Sequence, residues 1–98
     1  MASTKEFKDF ILDQLYMLTN IKCKPMMGEF LLYYNDILFG GIYDNRLLIK
    51  KTVSNSKYNL NLDIPYNNAK PMYIVEDLDN AEYLYELIKT TCKDLKEK

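Results

Sequence analysis

Three charged side chains are the strongest candidates for chemistry in this sequence: Lys24, Glu29 and Arg46. The chain contains no histidine, so acid–base catalysis near neutral pH would require a Glu, Lys, Tyr or Cys side chain with a shifted pKa. Lys24 and the sole arginine, Arg46, flank Glu29 in the sequence, and we take the three as a candidate polar site. Two of them also have a structural interpretation: Glu29 is a solvated or salt-bridged strand start, and Arg46 flanks a turn, where it pairs with Asp44 or covers Tyr43.

The sequence contains no motif for metal, phosphate or thiol chemistry. No His, Cys or Asp grouping has the spacing of metal ligands. Gly28 and the pair Gly40-Gly41 lie in strand-like sequence and do not open a phosphate-binding loop. Cys23 and Cys92 are predicted to be reduced thiols on apolar faces. We therefore predict no catalytic residue, no cofactor and no metal.

Length and composition predict one globular domain over residues 1–98. The chain is 48% hydrophobic and 28% charged, which is typical of a folded protein. Its 98 residues are too few to form two cores. The net charge of −1 lacks the positive excess that DNA-binding domains usually carry. No apolar run approaches the roughly 20 residues of a membrane span, and the charged N-terminal region is unlike a signal peptide. A cytoplasmic location is expected.

Hydrophobic periodicity predicts an antiparallel sheet between two helices. The first helix should run from Ser3 to Leu18, with Ser3 and Glu6 at capping-box spacing, and a closing helix should follow Asp79. Strands are predicted over residues 21–26, 29–34, 37–43, 46–50 and 72–75, with a short helix near 54–60. Asn35-Asp36 and Asp44-Asn45 should form two-residue turns. The order α-β-β-β-β-(α)-β-α is a two-layer α+β fold with both helices packed on the sheet.

Strict alternation along the central strands assigns one apolar set to each face of the sheet. One face should carry Leu31, Tyr33, Leu38, Ile42, Leu47 and Ile49. The other should carry six residues that we predict to form an interface, because helices on one side would leave this side open: Phe30, Leu32, Tyr34, Phe39, Tyr43 and Leu48. An apolar surface of this kind predicts a homodimer or a protein partner. The alternative is that the helices, or the 51–70 segment, cover both faces.

Two runs of sequence resemble a known family. Lys24–Tyr34, KPMMGEFLLYY, and Gly40–Lys50, GGIYDNRLLIK, resemble the TfoX/Sxy N-terminal domain family. The resemblance extends over nearly the whole chain, including AKPM at Ala69–Met72 and the closing helix. It implies a compact, secretion-chaperone-like arrangement of helices on one antiparallel sheet. It also implies kinship with competence regulators that act with a global transcription factor, here as a stand-alone single-domain member, and it supplies no catalytic residues.

The predicted function is a non-enzymatic protein–protein interaction or regulatory module. A nucleic-acid-associated transcription regulator is the alternative, followed by a small-ligand-binding protein or an enzyme. Direct nucleic-acid binding is disfavoured because the aromatic face offers mainly Arg46 and Lys50 as cations. An enzyme would place Lys24, Glu29 or Arg46 in a concave pocket. No membrane or metal partner is expected.

Overall fold

The first helix begins one residue later than its capping motif predicts, and it ends at Gln14 rather than at the predicted Leu18. The structure, a computed structural model, describes residues 3–96. Helix α1 spans Lys5–Gln14 and is capped by Thr4, whose Oγ1 accepts a 3.1 Å hydrogen bond from the N–H of Phe7. The predicted cap, Ser3, instead bonds to Glu29. The four terminal residues of the predicted domain, 1–2 and 97–98, lie outside the described part.

The strands form an antiparallel sheet, which confirms the predicted α+β class. They are β1 (Ile21–Met26), β2 (Glu29–Tyr34), β3 (Ile37–Ile42), β4 (Leu47–Ile49), β5 (Leu62–Asp63) and β6 (Met72–Val75). Their order in the six-stranded sheet is β1-β2-β3-β4-β6-β5. The two-residue β5 was not predicted. Pro25 lies in β1, an edge strand, where its missing N–H leaves no gap in the ladder.

Tight turns join the first four strands because their residues tolerate a left-handed backbone. Asn35-Asp36 has φ values of 50° and 65°, and Asp44-Asn45 has 51° and 55°, which confirms both predicted hairpin turns. Met27 and Gly28, at 52° and 86°, make the same kind of turn between β1 and β2. These short connections fix the β1–β4 meander.

A β-bulge in β3 changes the predicted faces of the sheet. Leu32 pairs with Gly40 whereas Tyr33 pairs with Leu38, so Phe39 is an extra residue on its strand. One extra residue moves every later side chain in the meander to the opposite face of the sheet. The face assignment is therefore wrong beyond the bulge: Ile42, Leu47 and Ile49 share the face of Phe30, Leu32 and Phe39, while Tyr43 and Leu48 join Leu31, Tyr33 and Leu38 on the other.

Both helices pack on the face that carries Leu32 and Phe39. Helix α2 spans Ala81–Lys96, and its first turn is capped by Asn80, not by the predicted Asp79. The buried core joins residues of α1, α2 and the sheet: Ile11, Leu15, Leu18, Leu84, Leu87, Ile88 and Cys92 meet Leu32, Phe39, Ile42, Leu47, Ile49 and Val75. We call this the helix-covered face and the opposite side the open face.

The helix-covered face corrects the predicted interface. Leu32 and Phe39 have no exposed surface, and Phe30 and Tyr34 are partly buried against the same core. Tyr43 and Leu48 lie on the open face, where they are also buried. The six residues therefore do not form one exposed surface. The protein's own helices cover four of them.

A buried asparagine fixes the connection after β4. The predicted short helix is a 3-10 helix, Ser54–Tyr58, and within it Asn55 is fully buried. The Asn55 amide nitrogen donates to the carbonyl of Lys50 and to Oγ1 of Thr91, both at 2.9 Å, and its Oδ1 accepts from the N–H of Thr52. This side chain therefore links the connection to the core of α2.

We expect Asn55→Ala to lower the free energy of unfolding by about 2–3 kcal/mol, because it leaves buried partners without their hydrogen bonds. Asn61→Ala is the matched control, since the exposed Asn61 amide bonds only to Glu76, and its cost should stay within about 0.5 kcal/mol. Urea unfolding followed by circular dichroism measures both values. Equal values would contradict a structural role for Asn55.

Candidate functional site

The Glu29 carboxylate connects the N-terminal segment to the β3–β4 turn through hydrogen bonds. Its Oε1 accepts from the N–H and Oγ of Ser3, at 3.1 and 2.7 Å, and both carboxylate oxygens accept from the N–H of Asp44. Ser3 Oγ in turn accepts from the N–H of Asn45. The carboxylate therefore joins the N-terminal segment to the backbone of the β3–β4 turn.

Arg46 anchors the segment that follows β5. Its Nη1 lies 2.8 Å from Oδ2 of Asp63 and donates to the carbonyl of Ile64, while Nη2 donates to the carbonyl of Pro65. Its Nε donates to the carbonyl of Tyr43. Arg46 therefore pairs with Asp63 rather than with the predicted Asp44, and its donors are directed to structural partners.

The candidate polar site is not assembled as a catalytic pocket. Lys24 is exposed on β1, with its register partner Leu31 on the open face, whereas Glu29 and Arg46 are held in two separate hydrogen-bond networks. None of the three lines either of the two cavities described below.

The ion pair of Arg46 predicts a measurable titration. The Arg46 guanidinium holds the pKa of Asp63 below its ordinary value. A carboxyl whose pKa is lowered by folding stabilises the fold above its unfolded pKa, and that contribution is lost as the pH falls through the folded pKa. Arg46→Gln should therefore raise the pKa of Asp63 towards its ordinary value, as measured by NMR titration of the carboxyl carbons.

Asp94 is the internal control for that titration. Its pKa is lowered chiefly by the hydrogen bond from the N–H of Ser54, so it should stay low in the Arg46→Gln variant. An unchanged pKa of Asp63 in the variant would contradict the role given to Arg46.

The two cysteines are unpaired, and their thiols are poor nucleophiles. Burial raises the pKa of Cys92 to about 12, and burial is also the main cause that raises the pKa of Cys23. Both side chains are therefore protonated at neutral pH, and a thiol reacts far more slowly than a thiolate.

The open face is covered over only part of its area. Residues 64–71 cross it beside β4 and β6, where Pro65 is buried and the ring of Tyr66 lies 6.1 Å from that of Tyr43. This cover contributes to the burial of Tyr43 on the side of the sheet that α1 and α2 leave open. The half of the face on β1–β3 carries partly exposed apolar side chains: Met26, Leu31, Tyr33 and Leu38.

A groove of 840 Å³ lies between that half and residues 65–72. Its apolar lining includes Met26, Leu31, Leu38, Tyr43, Tyr66 and Met72. Three lysines also line it, Lys50, Lys51 and Lys70, and no carboxylate does. Burial raises the pKa of Tyr43, so its hydroxyl stays protonated at neutral pH. We call this the open-face groove.

A second cavity, of 620 Å³, lies on the helix side of the sheet between α2 and the β2–β3 turn. Tyr34, Ile37 and Cys92 line it together with Lys89, Lys93 and Lys96. Tyr34, one of the predicted interface residues, therefore contributes to a cavity wall beside α2. The other five do not line this cavity.

Two common kinds of site are absent from residues 3–96. No three His, Cys, Asp or Glu side chains come together there in a cluster that could hold a metal ion. In the same range, no helix combines the length and hydropathy required to cross a membrane.

The fold and its open-face groove define a two-layer α+β protein with helices on one side of an antiparallel sheet. The chain is 29% identical, over 98 residues, to an uncharacterized 12.7 kDa protein in the trpE 5′ region of Spirochaeta aurantia. The alignment covers 97% of this chain and 85% of that protein. No known family profile matches the chain. The resemblance to the TfoX/Sxy N-terminal domain stays a prediction.

The open-face groove could not be predicted from the sequence, for two reasons. The bulge at Phe39 reversed the assignment of β4, and the return of residues 64–71 over the sheet has no periodic signal in the sequence. Gly40-Gly41 was a partial signal, because mid-strand glycines often mark bulges.

Proposed function

We propose that this chain is a non-enzymatic, cytoplasmic interaction module with a regulatory role, and that its open face binds a partner protein. The observation that carries the proposal is the joint presence of partly exposed apolar side chains and unpaired lysines on that face. Glu29 and Arg46, the best catalytic candidates, serve structural contacts, which favours binding over catalysis. The regulatory role rests on the TfoX/Sxy resemblance, whose implied layout of helices on one sheet agrees with this fold.

Charge indicates the chemistry of the partner. Within residues 3–96, Lys24, Lys50, Lys51 and Lys70 form no ion pair, whereas Lys22 pairs with Asp36 and Arg46 with Asp63. A partner with an acidic, apolar-centred surface would complement this face. A second copy docked through the same face would place like charges opposite each other, because a two-fold dimer repeats the same patch. We therefore favour a different protein over the predicted homodimer.

Paired variants test the proposed surface. Leu38→Glu places a charge on the open face, and Leu62→Glu makes the same change on β5, where Leu62 is 54% exposed. We expect affinity capture from the native cell to return an acidic protein with the wild-type chain and with Leu62→Glu, but not with Leu38→Glu. The purified pair should then bind with at least micromolar affinity.

Circular dichroism of the two variants must first show that each is folded. A captured protein that binds folded Leu38→Glu as tightly as the wild type would contradict docking through the open face. So would the absence of any protein that distinguishes the two variants.

Single-stranded nucleic acid is the second candidate, because the open face also combines tyrosines with lysines. Tyr33 and Tyr66 could stack on bases while Lys24 and Lys50 contact phosphates. The net charge of −1 and the engagement of Arg46 make this weaker than the protein partner. Fluorescence anisotropy with labelled oligonucleotides at low salt would support it only if Lys50→Ala weakens binding. No anisotropy change would dismiss it.

A further inference from the structure

The open-face groove has the size and lining of a small-molecule site. Its 840 Å³ falls within the range of about 300–1,000 Å³ that ligand pockets occupy. Methionine, leucine and tyrosine side chains form most of its wall, and such walls bind the apolar body of a ligand. The groove is bounded by two parts of the chain, the β1–β3 meander and residues 65–72, and the Arg46 contacts to Asp63, Ile64 and Pro65 hold the second of these.

The charges in the groove have a single sign. Lys50, Lys51 and Lys70 line it without any Asp or Glu. Glu29 and Asp63, the strand partners of the groove residues Met26 and Met72, have other partners: Glu29 accepts from Ser3 and Asp44, and Asp63 pairs with Arg46. Positive charge beside an apolar wall is therefore left without a counter-charge from the described residues.

We propose that the open-face groove binds a small organic anion with an apolar body, such as an alkyl carboxylate. The apolar body lies against Met26, Leu38 and Met72, and the anionic head lies at the lysines. A purely apolar ligand would leave the lysines unused, and a cationic one would be repelled by them. This inference goes beyond the proposed function, because it needs no protein partner and concerns the chain alone.

The methionines of this chain provide direct reporters. Met26 and Met72 line the groove, whereas Met17 lies on the segment after α1 and is 38% exposed. Met27, in the β1–β2 turn, is 97% exposed and would report non-specific association first. Carbon-13 labelling of the methionine methyl groups therefore separates binding in the groove from binding elsewhere by NMR.

The test compares three ligands with one tail: octanoate and octyltrimethylammonium below their micellar concentrations, and octanol below its solubility limit. Octanoate should shift the Met26 and Met72 methyl signals saturably and leave Met17 unchanged. We expect its affinity to exceed that of each of the other two by about tenfold, the combined effect of several exposed charge contacts.

Lysine variants complete the test. The double variant Lys50→Gln with Lys70→Gln should reduce the affinity for octanoate about fivefold or more, towards that of octanol. Lys57→Gln is the control, because Lys57 is exposed on the 3-10 helix and does not line the groove. Amide spectra confirm that each variant is folded.

Three outcomes would overturn the inference: no saturable shift with octanoate, equal affinity for the three ligands, or equal octanoate affinity in the lysine double variant. Each leaves the protein-partner proposal standing, because that proposal is measured by capture and reconstitution. Conversely, loss of the partner proposal leaves the ligand measurement unaffected.

Discussion

Replacing Phe39 by alanine is expected to lower the free energy of unfolding by about 3–5 kcal/mol, the usual cost of truncating a fully buried phenylalanine. Phe39 has no exposed surface and packs in the core that joins the sheet to Ile11 of α1 and to Leu84 and Ile88 of α2. The other core contacts of the two helices hold them against the sheet, so they cannot move far enough to fill the cavity that the lost ring would leave.

Leu38→Ala is the matched control for Phe39→Ala. Leu38 precedes Phe39 on the same strand but lies on the open face, where it is only partly buried. Its truncation should cost about 1 kcal/mol, since less apolar area is lost from contact. Urea unfolding followed by circular dichroism measures both changes. A larger loss for Leu38 than for Phe39 would show that the helices pack on the opposite face.

The same pair of variants decides whether Phe39 could belong to an interface. A side chain whose contacts are made with a partner protein stabilises the complex and not the isolated chain. A loss of several kcal/mol in the isolated protein therefore assigns Phe39 to the core. Phe39 would then need no partner to explain its apolar character.

Local chemistry made most of the meander predictable. Asn35-Asp36 and Asp44-Asn45 carry their own turn preference, and the bounds of β1, β2 and β6 follow from apolar runs between turn residues. The helix caps were misplaced by one residue, from Ser3 to Thr4 and from Asp79 to Asn80, because neighbouring residues have similar capping ability.

The faces of the sheet were less predictable because they depend on one inserted residue. The predicted alternation of side chains between the two faces is correct up to Phe39 and reversed after it. The sequence does not show which residue beside Gly40 is the extra one. β5 has only two residues and gives no periodic signal. Its place beside β6 depends on the fold-back of residues 64–71, which Arg46 stabilises through contacts distant in sequence.

The candidate polar site of Lys24, Glu29 and Arg46 is not assembled, and its residues have contacts that the sequence does not predict. Glu29 and Arg46 each join distant segments of the chain. Hydrogen bonding to backbone groups from the N-terminal segment and from the loop after β5 could not be inferred from local sequence. The groove lysines come from three separate positions, Lys50, Lys51 and Lys70, and only the fold brings Lys70 to the other two.

Gly40→Ala is expected to have a comparably large effect, with a loss of about 3 kcal/mol or more in the free energy of unfolding. A Cβ at this position would collide with the carbonyl oxygen of Leu48 and lie 2.9 Å from Cα of Ile49. Both are backbone atoms of β4, so no side-chain rotation can relieve the contact. The strand itself would have to move away from β3, at the cost of ladder hydrogen bonds and core packing.

Gly28→Ala is the control for Gly40→Ala. Gly28 lies in the exposed β1–β2 turn at φ 86°, so an alanine there is strained by its backbone alone, at a cost of about 1–2 kcal/mol. Thermal unfolding should therefore rank the stabilities as wild type, then Gly28→Ala, then Gly40→Ala. A Gly40→Ala variant as stable as Gly28→Ala would mean that β3 and β4 are farther apart than described. Because the bulge beside Gly40 decides which side chains reach the open face, that result would also remove the basis for the open-face groove.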